Sequence, residues 1–192
     1  MNFYEALKEN NHYTDYQMKV VHYALITIAS EISKFFILGA FFAALGRMDE
    51  YLWAMLLFLG LRRYSGGFHS RTYFGCLAVS FCYLSACVIW LPSLTVPLYL
   101  QKLLMISAMA VLAVLSPLPS IYHASLKRSQ KIGYKVCVLL FAGVYFSLVS
   151  QLDQNSYYRI GFWVILMHTV QLVIYYVQRR FINEKIMEKQ NA

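Results

Sequence analysis

The sequence predicts an all-α polytopic transmembrane bundle of about six membrane segments, the second short or re-entrant, with both termini cytoplasmic. Three observations predict it. Hydrophobic residues make up 59% of the 192 and charged residues only 14%, against roughly 45–50% apolar usage in an ordinary soluble domain. Apolar runs of near-membrane length recur along the chain. The lysines and arginines behind the net charge of +8 fall mainly in every second gap between those runs. No polar linker, low-complexity tract or repeat divides the chain, so residues 1–192 read as a single membrane domain.

Residues 1–19 (MNFYEALKENNHYTDYQMK) are polar and carry acids, whereas a cleavable signal starts basic and turns apolar. The first apolar run is therefore expected to direct its own insertion. It extends from Tyr23 to Leu45 and holds Glu31 and Lys34, whose i, i+3 spacing lets them neutralise each other on one helix face. The second run, Tyr51 to Leu61, is short. At about 1.5 Å per residue it covers roughly 16 Å, about half of a hydrocarbon core of about 30 Å. It either dips in and returns or continues as a less apolar helix through Arg62 and Arg63. The remaining runs, Thr72 to Leu91, Leu98 to Ser116, Tyr134 to Leu152 and Ile160 to Val177, approach the ~20 residues of a full crossing. Aromatic residues near the span ends, among them Trp53, Trp90, Tyr157, Tyr158, Tyr175 and Tyr176, fit interfacial belts.

Orientation follows from the basic residues, because cytoplasmic loops hold an excess of them. With the amino terminus inside and six crossings, only Arg47, Lys102 and Arg159 of the 17 fall outside, and Lys34 lies within the first run. The basic inner face would attract anionic lipid or an acidic peptide segment. Four cysteines, Cys76, Cys82, Cys87 and Cys137, sit in apolar stretches without the paired spacing of a zinc site, and His12, His22 and His123 are scattered. No metal and no cofactor is expected. A cysteine that matters here should matter as a thiol. His168 and Gln171 in the last run suit an interhelical hydrogen bond or a polar cavity.

The segment from Leu61 to Cys76 (LRRYSGGFHSRTYFGC) carries the chemistry. Gly66-Gly67 costs helix stability and permits positive φ, which marks a turn at the cytoplasmic interface. His69 follows two residues later and Cys76 seven after that. A histidine can take a thiol's proton, so the two suffice for acyl transfer. On one straight helix they would stand about 10.5 Å apart. The helix is thus expected to start near Ser70 to Thr72, letting His69 fold back towards Cys76; pairing between subunits is another solution. Surrounding arginines would favour a thiolate electrostatically. The alternative is that His69 is a polar interfacial residue and Cys76 a small apolar filler.

The run Arg62-Arg63-Tyr64-Ser65-Gly66-Gly67-Phe68-His69, followed by Cys76, resembles the signature of the accessory gene regulator B (AgrB) family of membrane peptidases, which process quorum-sensing pheromone precursors. The resemblance implies Cys76 as nucleophile and His69 as general base, with Arg62, Gly66 and Gly67 in support. It implies substrate contacts from Arg63, Arg71, Lys127 and Arg128. Its implied partner is a precursor peptide with an amphipathic amino-terminal helix and an acidic tail. Independently of the resemblance, a short second span and polar groups facing lipid lead us to expect a homodimer. Cleavage would leave a thioester on Cys76, from which an internal cysteine or serine of the precursor closes a ring. Leu118-Pro119-Ser120-Ile121 departs from the polar residues more usual there. A small transporter or peptide-export component without covalent chemistry is the competing reading, but it leaves the glycine pair, His69 and Cys76 unexplained.

Overall fold

The computed structural model describes residues 15–67, 72–118, 128–149 and 155–191, and these are helical apart from short connections. They fall into two compact units, Met1–Gly46 and Arg47–Ala192. The first contains α1 (Asp15–Ala44), whose 30 residues make a rod of about 45 Å. On it, Lys34 Nζ forms an ion pair with Glu31, the i, i+3 neutralisation expected from the sequence.

The second unit holds α2 (Met48–Ser65), α3 (Tyr73–Ser85), α4 (Leu98–Leu115), α5 (Arg128–Val149) and α6 (Ser156–Asn191). The short second apolar run does not turn back: α2 continues through Arg62 and Arg63 to reach 18 residues. Its acids, Asp49 and Glu50, occupy the first turn and its arginines the last, which matches charge to the helix dipole at both ends. Tyr51, Ala54, Leu57, Phe58 and Leu61 form a buried stripe on it at helical spacing.

The start of α3 lies where the glycine pair and threonine predict it. Thr72 is the cap, its hydroxyl accepting the Gly75 N–H at 3.2 Å. Beyond Ser85 the helix widens into a π turn (Ala86–Trp90) and then tightens into a 3-10 turn (Leu91–Ser93). Pro92 has no N–H to offer the carbonyl four residues back. That carbonyl, on Val88, instead accepts from Arg47 Nη1 at 2.9 Å.

Helix α6 packs against α2, α4 and the π turn. It runs parallel to α2, since Trp53 Nε1 donates to the Tyr157 carbonyl at one end and Ser65 meets His168 at the other. It runs antiparallel to α3, pinned where Tyr83 Oη donates to the Val164 carbonyl at 2.7 Å. Tyr158, placed by the sequence in an interfacial belt, is instead buried and donates to Gln101 Oε1 at 2.7 Å. Its own carbonyl accepts from Tyr145 Oη, which lies hard against Gly161. A methyl at Gly161 would run into the Tyr145 phenol. Gly161→Ala is therefore expected to lower unfolding stability in detergent by about 1–3 kcal/mol, checked by denaturant titration.

Among the described residues, three helical segments are long and apolar enough to cross a membrane: Tyr73–Ser93, Leu98–Leu115 and Ser156–Phe181. Many large apolar side chains of α4, α5 and α6 point outward, including Leu103, Val114, Leu140, Val144 and Ile174, as suits a hydrocarbon surrounding. The end of the second unit that holds Cys76 also carries Arg62, Arg63, Arg128, Lys131, Lys135, Arg179 and Arg180. Arg47, Lys102 and Arg159 lie at the opposite end.

Candidate active site

Helix α2 stops at Ser65 because Gly66 adopts φ 81° and ψ −159°, a region essentially closed to residues with a Cβ. The Gly66 N–H still caps the helix by donating to the Arg62 carbonyl at 3.1 Å. The Ser65 carbonyl accepts the Leu118 N–H at 2.9 Å, and Gly66 pairs with Leu118 in an isolated parallel bridge. A Cβ on Gly66 would run into the Leu118 carbonyl oxygen. The chain leaving α4 is thus laid across the end of α2 by main-chain contact, which is why Leu118, unusual by family pattern, is a buried structural residue.

Beneath this crossing, Ser65 Oγ lies 2.7 Å from the Leu61 carbonyl and 2.6 Å from His168 Nε2. One hydroxyl has one proton. With that proton on the Leu61 carbonyl, His168 Nε2–H donates to Ser65 Oγ and Nδ1 carries the bare lone pair. His168 Nδ1 is buried and has no partner among the described residues. The interhelical hydrogen bond expected of His168 is therefore present, from α6 to the last residue of α2. Interhelical bonds of this kind contribute about 0.6 kcal/mol on average and up to about 1.7 kcal/mol. Ser65→Ala, which strands the imidazole N–H, is expected to cost about 1–2 kcal/mol. A double-mutant cycle with His168→Leu checks this, because the coupling vanishes if the two groups do not interact.

Next to this pair is a narrow cleft of about 10 Å³, room for about one water, lined by Phe58, Arg62, Cys76, Val79, Ser80, Tyr83 and Gln171. Cys76 is buried one turn into α3, and its N–H is committed to the Thr72 carbonyl at 3.0 Å. The Arg62 guanidinium lies over the Phe58 ring, 5.5 Å from its centroid, a cation–π contact that holds the charge at the cleft. Phe58 also packs on Tyr83, with centroids 4.7 Å apart. The structure therefore brings Cys76 and Arg62 together beside the Gly66-Gly67 turn. Arg63 is exposed on α2, and Arg128 is exposed at the start of α5. His69, Arg71 and Lys127 lie outside the described residues. Of the other cysteines, Cys87 is buried in the π turn, Cys82 and Cys137 are exposed, and none lines the cleft.

Gln171, which the sequence offered with His168 for a polar cavity or an interhelical hydrogen bond, lines this cleft, whereas Phe58, Val79, Ser80 and Tyr83 carried no sequence signal. The i, i+3 spacing of Gln171 from His168 marked a polar face of the last helix. Only the antiparallel packing of α6 on α3 shows that this face meets Cys76.

A model of the accessory gene regulator B family matches residues 2–172. The chain belongs to the AgrB family. With three helices able to cross a membrane, this family member is an integral membrane protein. It is 27% identical over 103 residues, 52% of the chain, to a protein of Clostridium beijerinckii named as AgrB-like. The match spans about half, 51%, of that relative's length. No solved structure matches the chain. The resemblance carried by the 62–76 segment is thus a true membership.

Proposed function

We propose that the chain is a membrane-embedded cysteine endopeptidase that cuts a quorum-sensing pheromone precursor. The observation that carries this reading is the seat of Cys76: of the four cysteines it alone lines the cleft at the basic end, beside Arg62 and the glycine turn. Cys76 is the nucleophile and His69 the general base. The Cys76 sulfur bonds to the scissile carbonyl carbon, the leaving amine takes its proton from His69, and a thioester remains on Cys76. An internal cysteine or serine of the precursor then displaces the sulfur and closes a thiolactone or lactone. Thioester exchange needs no ATP, provided water is kept from the acyl-enzyme.

Six spans with both termini inside put the basic end of the bundle in the cytoplasm, in keeping with the distribution of its arginines and lysines. Arg63, Arg71, Lys127 and Arg128 would draw the acidic tail of the precursor, and anionic lipid would hold its amphipathic helix beside the cleft. The working form is a homodimer.

The test is co-expression with a candidate precursor, followed by mass spectrometry of the intact chain. The expected result is a precursor fragment attached at Cys76 and released by hydroxylamine, and no adduct in a His69→Ala variant. Processing with neither adduct nor dependence on His69 would bring the transporter reading forward.

A further inference from the structure

Acyl transfer through Cys76 creates a negative oxygen on the scissile carbonyl, and that oxygen needs hydrogen-bond donors already in place. The nucleophile's own backbone N–H is a common donor, but here it is spent inside α3 on the Thr72 carbonyl at 3.0 Å. The Tyr83 hydroxyl is likewise spent, on the Val164 carbonyl at 2.7 Å. Among the described residues, the donors that remain at the cleft are its other polar side chains. Gln171 meets the requirement on three separate counts. It lines the cleft together with Cys76 and Arg62. It stands at the same level: α3 and α6 are pinned at Tyr83 and Val164, and seven residues from that point, about 10.5 Å along each helix, lead to Cys76 on one and Gln171 on the other. Among the described residues its amide makes no hydrogen bond, although it is only partly exposed within an apolar helix, where an unsatisfied polar group is costly. Ser80, the other uncharged polar side chain of the cleft, lies about 6 Å farther along α3 than Cys76.

We propose that Gln171 is a catalytic residue, its side-chain amide donating a hydrogen bond to the oxyanion that forms when Cys76 attacks the precursor. The inference rests on Cys76 being the nucleophile. In the step concerned, the sulfur electron pair forms the S–C bond and the carbonyl π pair moves to oxygen, where Gln171 Nε2–H receives it. On collapse that pair re-forms the carbonyl, the C–N bond breaks, and the amine leaves with the proton from His69. The Gln171 amide keeps its own protons throughout. Arg62, held on the Phe58 ring, adds positive charge to the same wall.

The test uses the full chain in lipid vesicles with a purified precursor, comparing wild type, Gln171→Leu and Gln171→Glu. Two readouts are taken: kcat and KM for cleavage, and the rate at which iodoacetamide alkylates the Cys76 peptide, a displacement at saturated carbon that forms no oxyanion. Loss of one such donor typically lowers kcat about 10²–10³-fold. That fall is expected in both variants, with KM and the labelling rate within about threefold of wild type. Unchanged kcat, a change confined to KM, or a fall in kcat matched by altered labelling would each overturn the proposal. Cys76→Ala is run alongside. If it still cleaves, the assignment of Cys76 as nucleophile fails and the Gln171 proposal with it; if it is inactive while Gln171→Leu keeps full kcat, only the Gln171 assignment fails.

Discussion

Cys76→Ala is expected to lower precursor cleavage by at least about 1,000-fold, because removing a nucleophile leaves only binding and oxyanion contacts to assist the reaction. No neighbouring thiol can take over: Cys87 is enclosed in the π turn, and neither Cys82 nor Cys137 reaches the cleft. The loss should be chemical and not structural. Cys76 is buried, but alanine removes a single sulfur from a cleft already able to hold about one water, at a stability cost of about 1 kcal/mol. The measurement is single-turnover cleavage in vesicles, normalised to the amount of folded protein. Activity within tenfold of wild type would remove Cys76 from the reaction and send the search to another group.

Gly66→Ala is expected to produce the largest structural loss of any single methyl added to the second unit. Two costs combine. The backbone at φ 81° and ψ −159° is strained for any residue with a Cβ, by about 1–3 kcal/mol. The new methyl would also run into the Leu118 carbonyl, so the main chain must move and the Ser65–Leu118 hydrogen bond, of about 1 kcal/mol, is lost. A total of about 2–4 kcal/mol follows, with cleavage reduced more than tenfold because the end of α2 carries Arg62. The control is Gly133→Ala on α5, where a methyl meets nothing within 4 Å. Alanine there is expected to be neutral or stabilising by up to about 1 kcal/mol. Denaturant titration in detergent compares them, and equal stabilities would show that the α2 crossing is not tied by Leu118.

Much of this was legible in the chain. The apolar runs locate each described helix, although α1 starts at Asp15, well before Tyr23, and α6 continues to Asn191, well past Val177; the glycine pair marks the end of α2. Cys76, singled out by its spacing from His69, and Arg62, implied by the family resemblance, are found on one cleft. What could not be read is whatever depends on how helices far apart in the chain are set against one another. Gln171 has no motif, and its role comes from the register of α6 on α3. The hold of Leu118 on Ser65 is a backbone contact, so no side-chain pattern records it. Tyr158 looks like a belt residue until packing turns it inward to Gln101. The length of α2 was ambiguous because Arg62 and Arg63 break its hydropathy while serving its dipole.

The parallel pairing of α2 with α6 also has a consequence in time. Ser65 and His168 are 103 positions apart, and a ribosome adding about 5–20 residues per second delivers the second about 5–20 s after the first. For most of that interval Arg62 and Cys76 are already made, while the helix bearing His168 and Gln171 is not complete. The reactive thiol is an early product of synthesis and its wall a late one. A chain cut short before the last span would carry its cysteine into the membrane with the cleft still open.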